Sequence, residues 1–405
     1  MRVLYFHQHF STPQGAAGIR SYQMAQKLIE SGHEVTMVCG SYGQSKTGLT
    51  NEFTDGVRRG VYKGINIIEF ALDYSNEMSF IARAKVFFKY ALQSSKLIFT
   101  EKYDVLFATS TPLTAAVPGI IAKLFRRKPF VFEVRDLWPE LPKAMGVITN
   151  PFILALMKVL EWSAYKSSDQ CIALSPGIRR GILKHKPKED SVTLIPNGCD
   201  LEIFQCSDDV WQPEGIEDRD FVAVFTGTHG IANGLHNVLK AAKVLKNREI
   251  KNIKLVLIGH GKLKAQLVSN AKELQLDNIV FLEPVEKAKL AQLMSRADCG
   301  LQTLENIPAF YYGTSPNKFF DYLSAGLPVV NNYPGWVADL ITEFECGIAI
   351  RPDDPDAFAD ALISLRDNDN IDKMASNAIR LAKNKFDRNQ LAREFVTVLE
   401  KMDKK

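Results

Sequence analysis

Short, continuous apolar runs recur along this chain, each followed by a turn and then by a longer stretch of helical periodicity. MRVLYFHQHF, VFEVRD, FVAVFTG and IKLVLIG are examples. A run that is apolar at nearly every position suits a strand buried on both faces. Such strands, when separated by amphipathic helices, must cross over, and the outcome is a parallel sheet covered on both sides. The first half offers strands at residues 2–10, 33–40, 65–72, 104–110, 129–136, 170–176 and 192–196, and a helix at 151–167. The second half repeats the plan with strands at 221–227, 253–259, 278–282, 299–304, 327–331 and 347–350, helices at 235–246, 263–274 and 287–296, and a last helical region at 355–402. A chain of 405 residues exceeds what one core usually holds. The pattern therefore predicts an α/β protein of two Rossmann-like, doubly wound domains, with ligand crevices at the carboxyl ends of the strands, facing one another across a cleft. The acidic stretch 199–220 reads as the linker between them.

Charge is unevenly spread. The net charge is only +4, yet residues 1–200 carry 25 Lys and Arg against 17 Asp and Glu, and the remainder is acidic. A basic front half suits an anionic surface or ligand, while the small total gives no argument for nucleic acid. Residues 78–100 read as a helix with Phe80, Ile81, Ala84, Phe87, Phe88 and Ala91 on one broad face and Arg83, Lys85, Lys89 and Lys96 beside it. That face suits either the core or an anionic membrane surface, and Arg126, Arg127 and Lys128 could extend the basic patch. No apolar run reaches the ~18–20 residues of a membrane span. The chain enters its first strand at Arg2, so no signal peptide is expected. Cys39, Cys171, Cys199, Cys206, Cys299 and Cys346 form no CxxC and no His/Cys cluster, which fits reduced cytosolic thiols and no metal site.

Three stretches carry candidate chemistry. In 310–330, FYYGTSPNKFFDYLSAGLPVV, a turn-rich loop with Gly313, Thr314 and Ser315 feeds a helix of about 317–325. Ser315 is expected as its N-cap and Pro316 as its first residue. Lys318, in the first turn, opposes the helix dipole and calls for an anion, whereas Phe319, Phe320 and Leu323 suit the core. The small-residue loops after two second-half strands, Gly227-Thr228-His229-Gly230 and Gly259-His260-Gly261, suit a diphosphate and a nucleotide base. His229 is the histidine favoured for the site, against the ordinary reading of a structural histidine. In the first half, Gly15 and Gly18 permit close backbone approach after the first strand, with Arg20 in the following helix. The loop lacks GxGxxG, so a dinucleotide fingerprint is absent. Glu133, Arg135 and Asp136 end a strand there, and Glu133 and Arg135, on one side of it, could pair.

In order, GAAGIRSYQMAQKLIESGHEVTMV, VFEVRDLWPE, IALSPGIRRGI, LIPNGCDLEIF, VFTGTHGIANGL, KLVLIGHGK and SPNKFFDYLSAGLPVV resemble the motifs of the family 4 retaining glycosyltransferases of the GT-B fold. RDLWPE and SPNKFFDYLSAGLPVVNN resemble the branch that builds bacterial surface polysaccharides, including L-fucosamine transferases of O-antigen assembly. The resemblance implies an acceptor-binding domain at 1–200, a donor-binding domain at 201–385 and a C-terminal helix at 386–405 that packs back on the first. It implies transfer of an N-acetylated hexosamine or deoxyhexose from a UDP-sugar to a polyprenyl-diphosphate-linked acceptor, at the inner face of the cytoplasmic membrane, with UDP-sugar as substrate and no cofactor. Gly227, Thr228, His229, Gly230, Gly259, Gly261, Gly313, Thr314, Ser315, Asn317, Lys318 and Asp321 are then donor-side candidates. Glu133, Arg135, Asp136 and Lys318 are catalytic candidates, and Gly15, Gly18 and Arg20 form an acceptor or phosphate loop. Two family glutamates fall at Gly313 and Asp321, so the ribose role passes to Asp321 and the first carboxylate is missing. The family's basic pair falls at Thr228 and Asn233, which leaves Lys318, with Arg135, as counter-charge to the diphosphate. The acceptor would attack the face the diphosphate leaves, with the phosphate taking the proton. A nucleotide-sugar epimerase and a non-catalytic nucleotide-sugar-binding subunit are the competing readings.

Overall fold

The structure, a computed structural model, describes residues 1–15, 18–43, 46–75, 78–204 and 209–403, so Cys206 lies outside the described residues. The chain divides into two compact units: Met1–Pro196 with Gly313–Ser315 and Asn389–Lys405, and Asn197–Tyr312 with Pro316–Arg388.

The first unit holds β1 (Arg2–Phe6), β2 (Glu34–Gly40), β3 (Val57–Tyr62), β4 (Ile65–Phe70), β5 (Val105–Thr109), β6 (Phe130–Val134), β7 (Gln170–Ala173) and β8 (Val192–Leu194). They form one sheet in the order β3-β4-β2-β1-β5-β6-β7-β8. Every pairing is parallel except β3 with β4. All of β5, β6 and β7 is buried, as strands covered on both faces require. Strand β3, VRRGVY, escapes a search for apolar runs because it is half-buried, and its Arg58 pairs at 2.8 Å with the buried Glu69 of β4. The C-terminal helix Arg388–Asp403 contributes Phe395 and Leu399 to this core, with the Phe395 ring edge-on to Phe107 at 4.9 Å.

The helix at Phe80–Thr100 turns its core side differently from the expectation. Tyr90, Ala91, Ser94, Leu97 and Ile98 are buried, while Phe80, Ile81 and Phe88 are exposed. Of the face named above, only Ala91 is buried.

The second unit holds β9 (Phe221–Thr226), β10 (Ile253–Ile258), β11 (Ile279–Leu282), β12 (Cys299–Gln302), β13 (Val329–Asn331) and β14 (Gly347–Ala349). The order is β11-β10-β9-β12-β13-β14, parallel throughout. The boundary lies at Pro196/Asn197, not at residue 200, and the described residues of the stretch expected as a linker are built into this unit. Asp200 bonds Lys287 and Arg388, Trp211 N–H donates to the Gln292 carbonyl, and Arg296 holds Gln212 and the Glu217 and Asp220 carbonyls. The loop expected before the 317–325 helix is itself helical over Pro308–Gly313. The following helix runs Asn317–Ala325 with Pro316, not Ser315, at the N-cap position and no side-chain cap.

Candidate functional site

In the second unit the site is built where β9 and β10 end. Gly227 N–H donates to the Ile258 carbonyl, His229 N–H to the His260 carbonyl and Leu263 N–H to the His229 carbonyl, so the two loops lie backbone to backbone. That packing explains the glycines. A Cβ on Gly259 would stand 1.8 Å from the Gly227 oxygen, and one on Gly261 2.7 Å from the His229 oxygen. Close packing of the two loops thus requires a glycine at both positions. His229 is reassigned. Its ring is fully buried between Phe225 and Phe281, at 6.1 and 6.2 Å. Burial, then Lys264, lowers its pKa to about 4, so it is a neutral floor to the loop and not an exposed ligand.

Above that floor stand Gly227 and Thr228, both exposed. Lys318 reaches over them from the helix Asn317–Ala325. Its Cε would lie 3.3 Å from a Cβ on Gly227, and its Nζ sits 4.6 Å from the centre of the Phe225 ring. Nζ donates to Asn233 Oδ1 at 2.7 Å, and Asn233 Nδ2 donates back to the Thr228 carbonyl at 2.7 Å. Asn233, where the resemblance expects a basic residue, thus positions the lysine and the loop together. No carboxylate pairs with Lys318 among the described residues, and burial lowers its pKa to about 7.

Asp321, one turn further along, is nearly buried and committed elsewhere. Its Oδ1 accepts from Lys287 Nζ at 2.9 Å, and Lys287 also donates to Asp200 Oδ2 at 2.7 Å. Arg388 closes the set on Asp200 and the Gly198 carbonyl. Burial raises Asp321 and is only partly offset by Lys287. Burial pushes Asp200 upward too, but Arg388 and Lys287 outweigh it and hold that carboxyl well below the usual range. A ribose hydroxyl at Asp321 would have to share the carboxylate with Lys287. No local pattern signals this cluster, because its members are 34 to 188 residues apart. Gly313, Thr314 and Ser315 count with the first unit. A Cβ on Gly313 would meet nothing within 4 Å, so the missing glutamate leaves open space.

In the first unit Arg20 and Glu133 are removed from the list of exposed site residues. Arg20 Nη2 lies 2.8 Å from Glu133 Oε2, both side chains 1% exposed or less. The guanidinium also donates to the Pro196 and Ile195 carbonyls at 2.6 and 2.9 Å. Glu133 Oε1 accepts from Thr109 at 2.8 Å. The pair is satisfied on every side and ties the helix Arg20–Glu30 to β6 and the end of β8. The pairing of Glu133 with Arg135 is therefore not made. Arg135 instead donates to His7 Nε2 at 3.3 Å, and its N–H to Ser110 Oγ at 2.9 Å. Asp136 accepts from Thr111 at 3.0 Å, and its carboxyl is raised by burial. His7 is buried and held well below its ordinary pKa by burial and by Arg135, so it stays neutral. It was not singled out from sequence, although HQH directly after a strand places polar side chains where β1, β5 and β6 end. Gly15 is buried in a turn onto the Thr12 carbonyl, and Gly18 is exposed.

Residues 17–203 match the model of Glycosyltransferase Family 4, and residues 208–385 that of Glycosyl transferases group 1. A glycosyltransferase of Methanocaldococcus jannaschii that is itself uncharacterized, MJ1607, is 23% identical over 398 residues, covering 95% of this chain and 94% of its own. Among solved structures, the sucrose-phosphate synthase of Thermosynechococcus elongatus is similar in fold, with a TM-score of 0.74 at 14% identity over 99% of this chain and 98% of the other. HepE of Anabaena, solved in complex with UDP, has a TM-score of 0.68 at 19% identity over 99% of this chain and 100% of its own. With both units matched, the chain belongs to the family 4 glycosyltransferases of the GT-B fold.

Proposed function

We propose that this glycosyltransferase moves an N-acetylated hexosamine or deoxyhexose, with retention, from a UDP-sugar to a polyprenyl-diphosphate-linked glycan. The reaction belongs to bacterial surface-polysaccharide synthesis of the O-antigen kind, and runs at the inner face of the cytoplasmic membrane. The observation that carries the reading is Lys318, a cation without a carboxylate partner, held by Asn233 over the exposed Gly227-Thr228 loop.

Cleavage of a sugar–diphosphate bond leaves negative charge on the β-phosphate as an oxocarbenium-like centre develops. A fixed ammonium and the amino end of a helix lower the energy of that charge most where water is excluded. Lys318 supplies the ammonium and Asn317–Ala325 the helix end, so the departing UDP is stabilised without calling on a divalent metal. The acceptor oxygen bonds to the anomeric carbon on the face that UDP leaves, and its proton passes to the departing phosphate. We assign the acceptor to the first unit, where Arg135 and Asp136 present a cation and a carboxyl beside His7. HepE, which binds UDP, supports the choice of base.

The test is incubation with a panel of UDP-sugars and a polyprenyl-diphosphate acceptor, following UDP and the glycosylated lipid together. UDP release that requires acceptor, and falls 100-fold or more in Lys318→Ala, supports the assignment. Conversion of the donor without acceptor would identify an epimerase, and donor binding without turnover a binding subunit.

A further inference from the structure

Three neighbouring helices of the first unit leave large apolar side chains in solvent. Phe80–Thr100 packs against Val117–Arg126, which packs against Pro151–Ser167. Ile81, Phe88, Phe99, Phe125, Phe152 and Trp162 on these helices are 50–71% exposed. Along Phe80–Thr100, steps of seven, four and seven residues bring Ile81, Phe88, Leu92 and Phe99 onto one outward stripe. Lys85, Lys89 and Lys96 flank that stripe on one side, are exposed, and have no carboxylate partner among the described residues. Isolated exposed apolar residues are ordinary, but a patch shared by three helices marks an interaction surface.

Charge selects the occupant. The three helices hold eight Lys and Arg against one carboxylate, Glu161. Glu161 is itself buried and bonded to Tyr165 at 2.9 Å, so it does not offset the basic rim. A second copy docked through this face would set like charges against one another. A bilayer containing anionic lipid satisfies both features: the apolar stripe enters the acyl boundary, the lysines meet headgroup phosphates, and an aromatic such as Trp162 sits at the interface. No helix among the described residues is long and apolar enough to cross a membrane.

We infer that the outer face of these three helices is a docking surface that lies on an anionic lipid bilayer. It deepens the membrane location proposed above and rests on that reading only for which leaflet is met. The experiment is co-sedimentation of the full chain with phosphatidylglycerol/phosphatidylcholine vesicles and with phosphatidylcholine alone. Wild type should bind the anionic vesicles at low salt and lose at least tenfold in partitioning at high salt. The triple variant K85E/K89E/K96E should lose tenfold or more, since each basic residue contributes about a fivefold factor. Its melting temperature and its stabilisation by UDP should match wild type, because these lysines are exposed and make no ion pair among the described residues.

Failure of wild type to bind anionic vesicles at low salt, equal binding to neutral ones, or undiminished binding by the triple variant would each overturn the surface. So would light scattering that shows a dimer dissociated by F88S/F125S, which would make the face a protein interface. Vesicle binding without any response to UDP would leave the surface standing and remove the transferase reading, while the reverse pattern would do the opposite.

Discussion

The unpaired state of Lys318 makes its removal a test with two opposite signs. Burial lowers its pKa from 10.5 to about 7. At about 1.4 kcal/mol per pH unit, that fall is a charging cost on the order of 4–5 kcal/mol, and partial exposure reduces it to about 2 kcal/mol. The cost is present in full below about pH 7, where folded and unfolded chains both carry the ammonium. Between pH 7 and 10.5 the unfolded chain binds more protons, so the stability of the ligand-free protein rises with pH. Lys318→Met keeps the side chain out to Cε without the charge. It should stabilise the ligand-free protein by about 2 kcal/mol at pH 7 and flatten the rise in stability at higher pH, while lowering turnover by 100-fold or more. UDP binding should restore the ammonium, so wild-type affinity should weaken as pH rises from 7 to 9. Near pH 8, binding should take up about one proton, measurable by calorimetry in buffers of different ionisation enthalpy. Urea unfolding of both proteins from pH 6 to 10, with UDP titrations alongside, checks every part. Equal stability and equal pH slopes, together with a UDP affinity that is flat across this range, would show that Lys318 is an ordinary surface lysine and refute the argument.

Three further substitutions probe the frame around it. Glu133→Gln leaves the Arg20 cation buried without its counter-charge, and should cost about 3–5 kcal/mol in the unfolding of the first unit; an unchanged transition would mean the pair is not buried as described. Gly259→Ala forces a Cβ to within 1.8 Å of the Gly227 oxygen at a φ of +152°, so it should displace the loop and abolish stabilisation by UDP in a thermal-shift assay; retained stabilisation would remove the close approach. Gly313→Ala places its Cβ where nothing lies within 4 Å and should not destabilise the protein, and a loss of stability by urea unfolding would contradict that space.

The fold was readable where burial is two-sided. The nearly all-apolar runs of β5, β6, β9 and β10 suit strands of a covered parallel sheet, and each pair lies inside one of the two sheets. It was unreadable where a strand has one wet face, as in VRRGVY, since two arginines and a glycine hide a period of two. Residues 199–220 looked like a linker because acidic side chains usually face water. Asp200 does the opposite, since Lys287 and Arg388 stand beside it in space, and no local pattern announces partners 87 and 188 residues away. The outward turn of Phe80–Thr100 has the same cause. Its sequence offers two apolar faces, and only the neighbouring strands decide that Tyr90, Leu97 and Ile98 face inward.

The same distinction sorts the candidate residues. A charged side chain in a motif can be a structural tie or a ligand group, and sequence position cannot separate them. What separates them is whether the folded chain already supplies the opposite charge. Arg20 and Glu133 neutralise one another, and Asp321 is met by Lys287, so each gains little from a ligand and would leave a buried charge behind if one displaced its partner. Lys318 is the reverse case: its cost in the ligand-free protein is offset only when an anion arrives. A phosphate that binds there gains the Coulomb energy and also removes a desolvation penalty already present, and that gain grows as charge accumulates on the departing diphosphate. On the function proposed, binding and catalysis would be strengthened by the same residue for the same reason, since the missing glutamate at residue 313 and the absent basic pair at Thr228 and Asn233 leave Lys318 as the candidate for the leaving-group role.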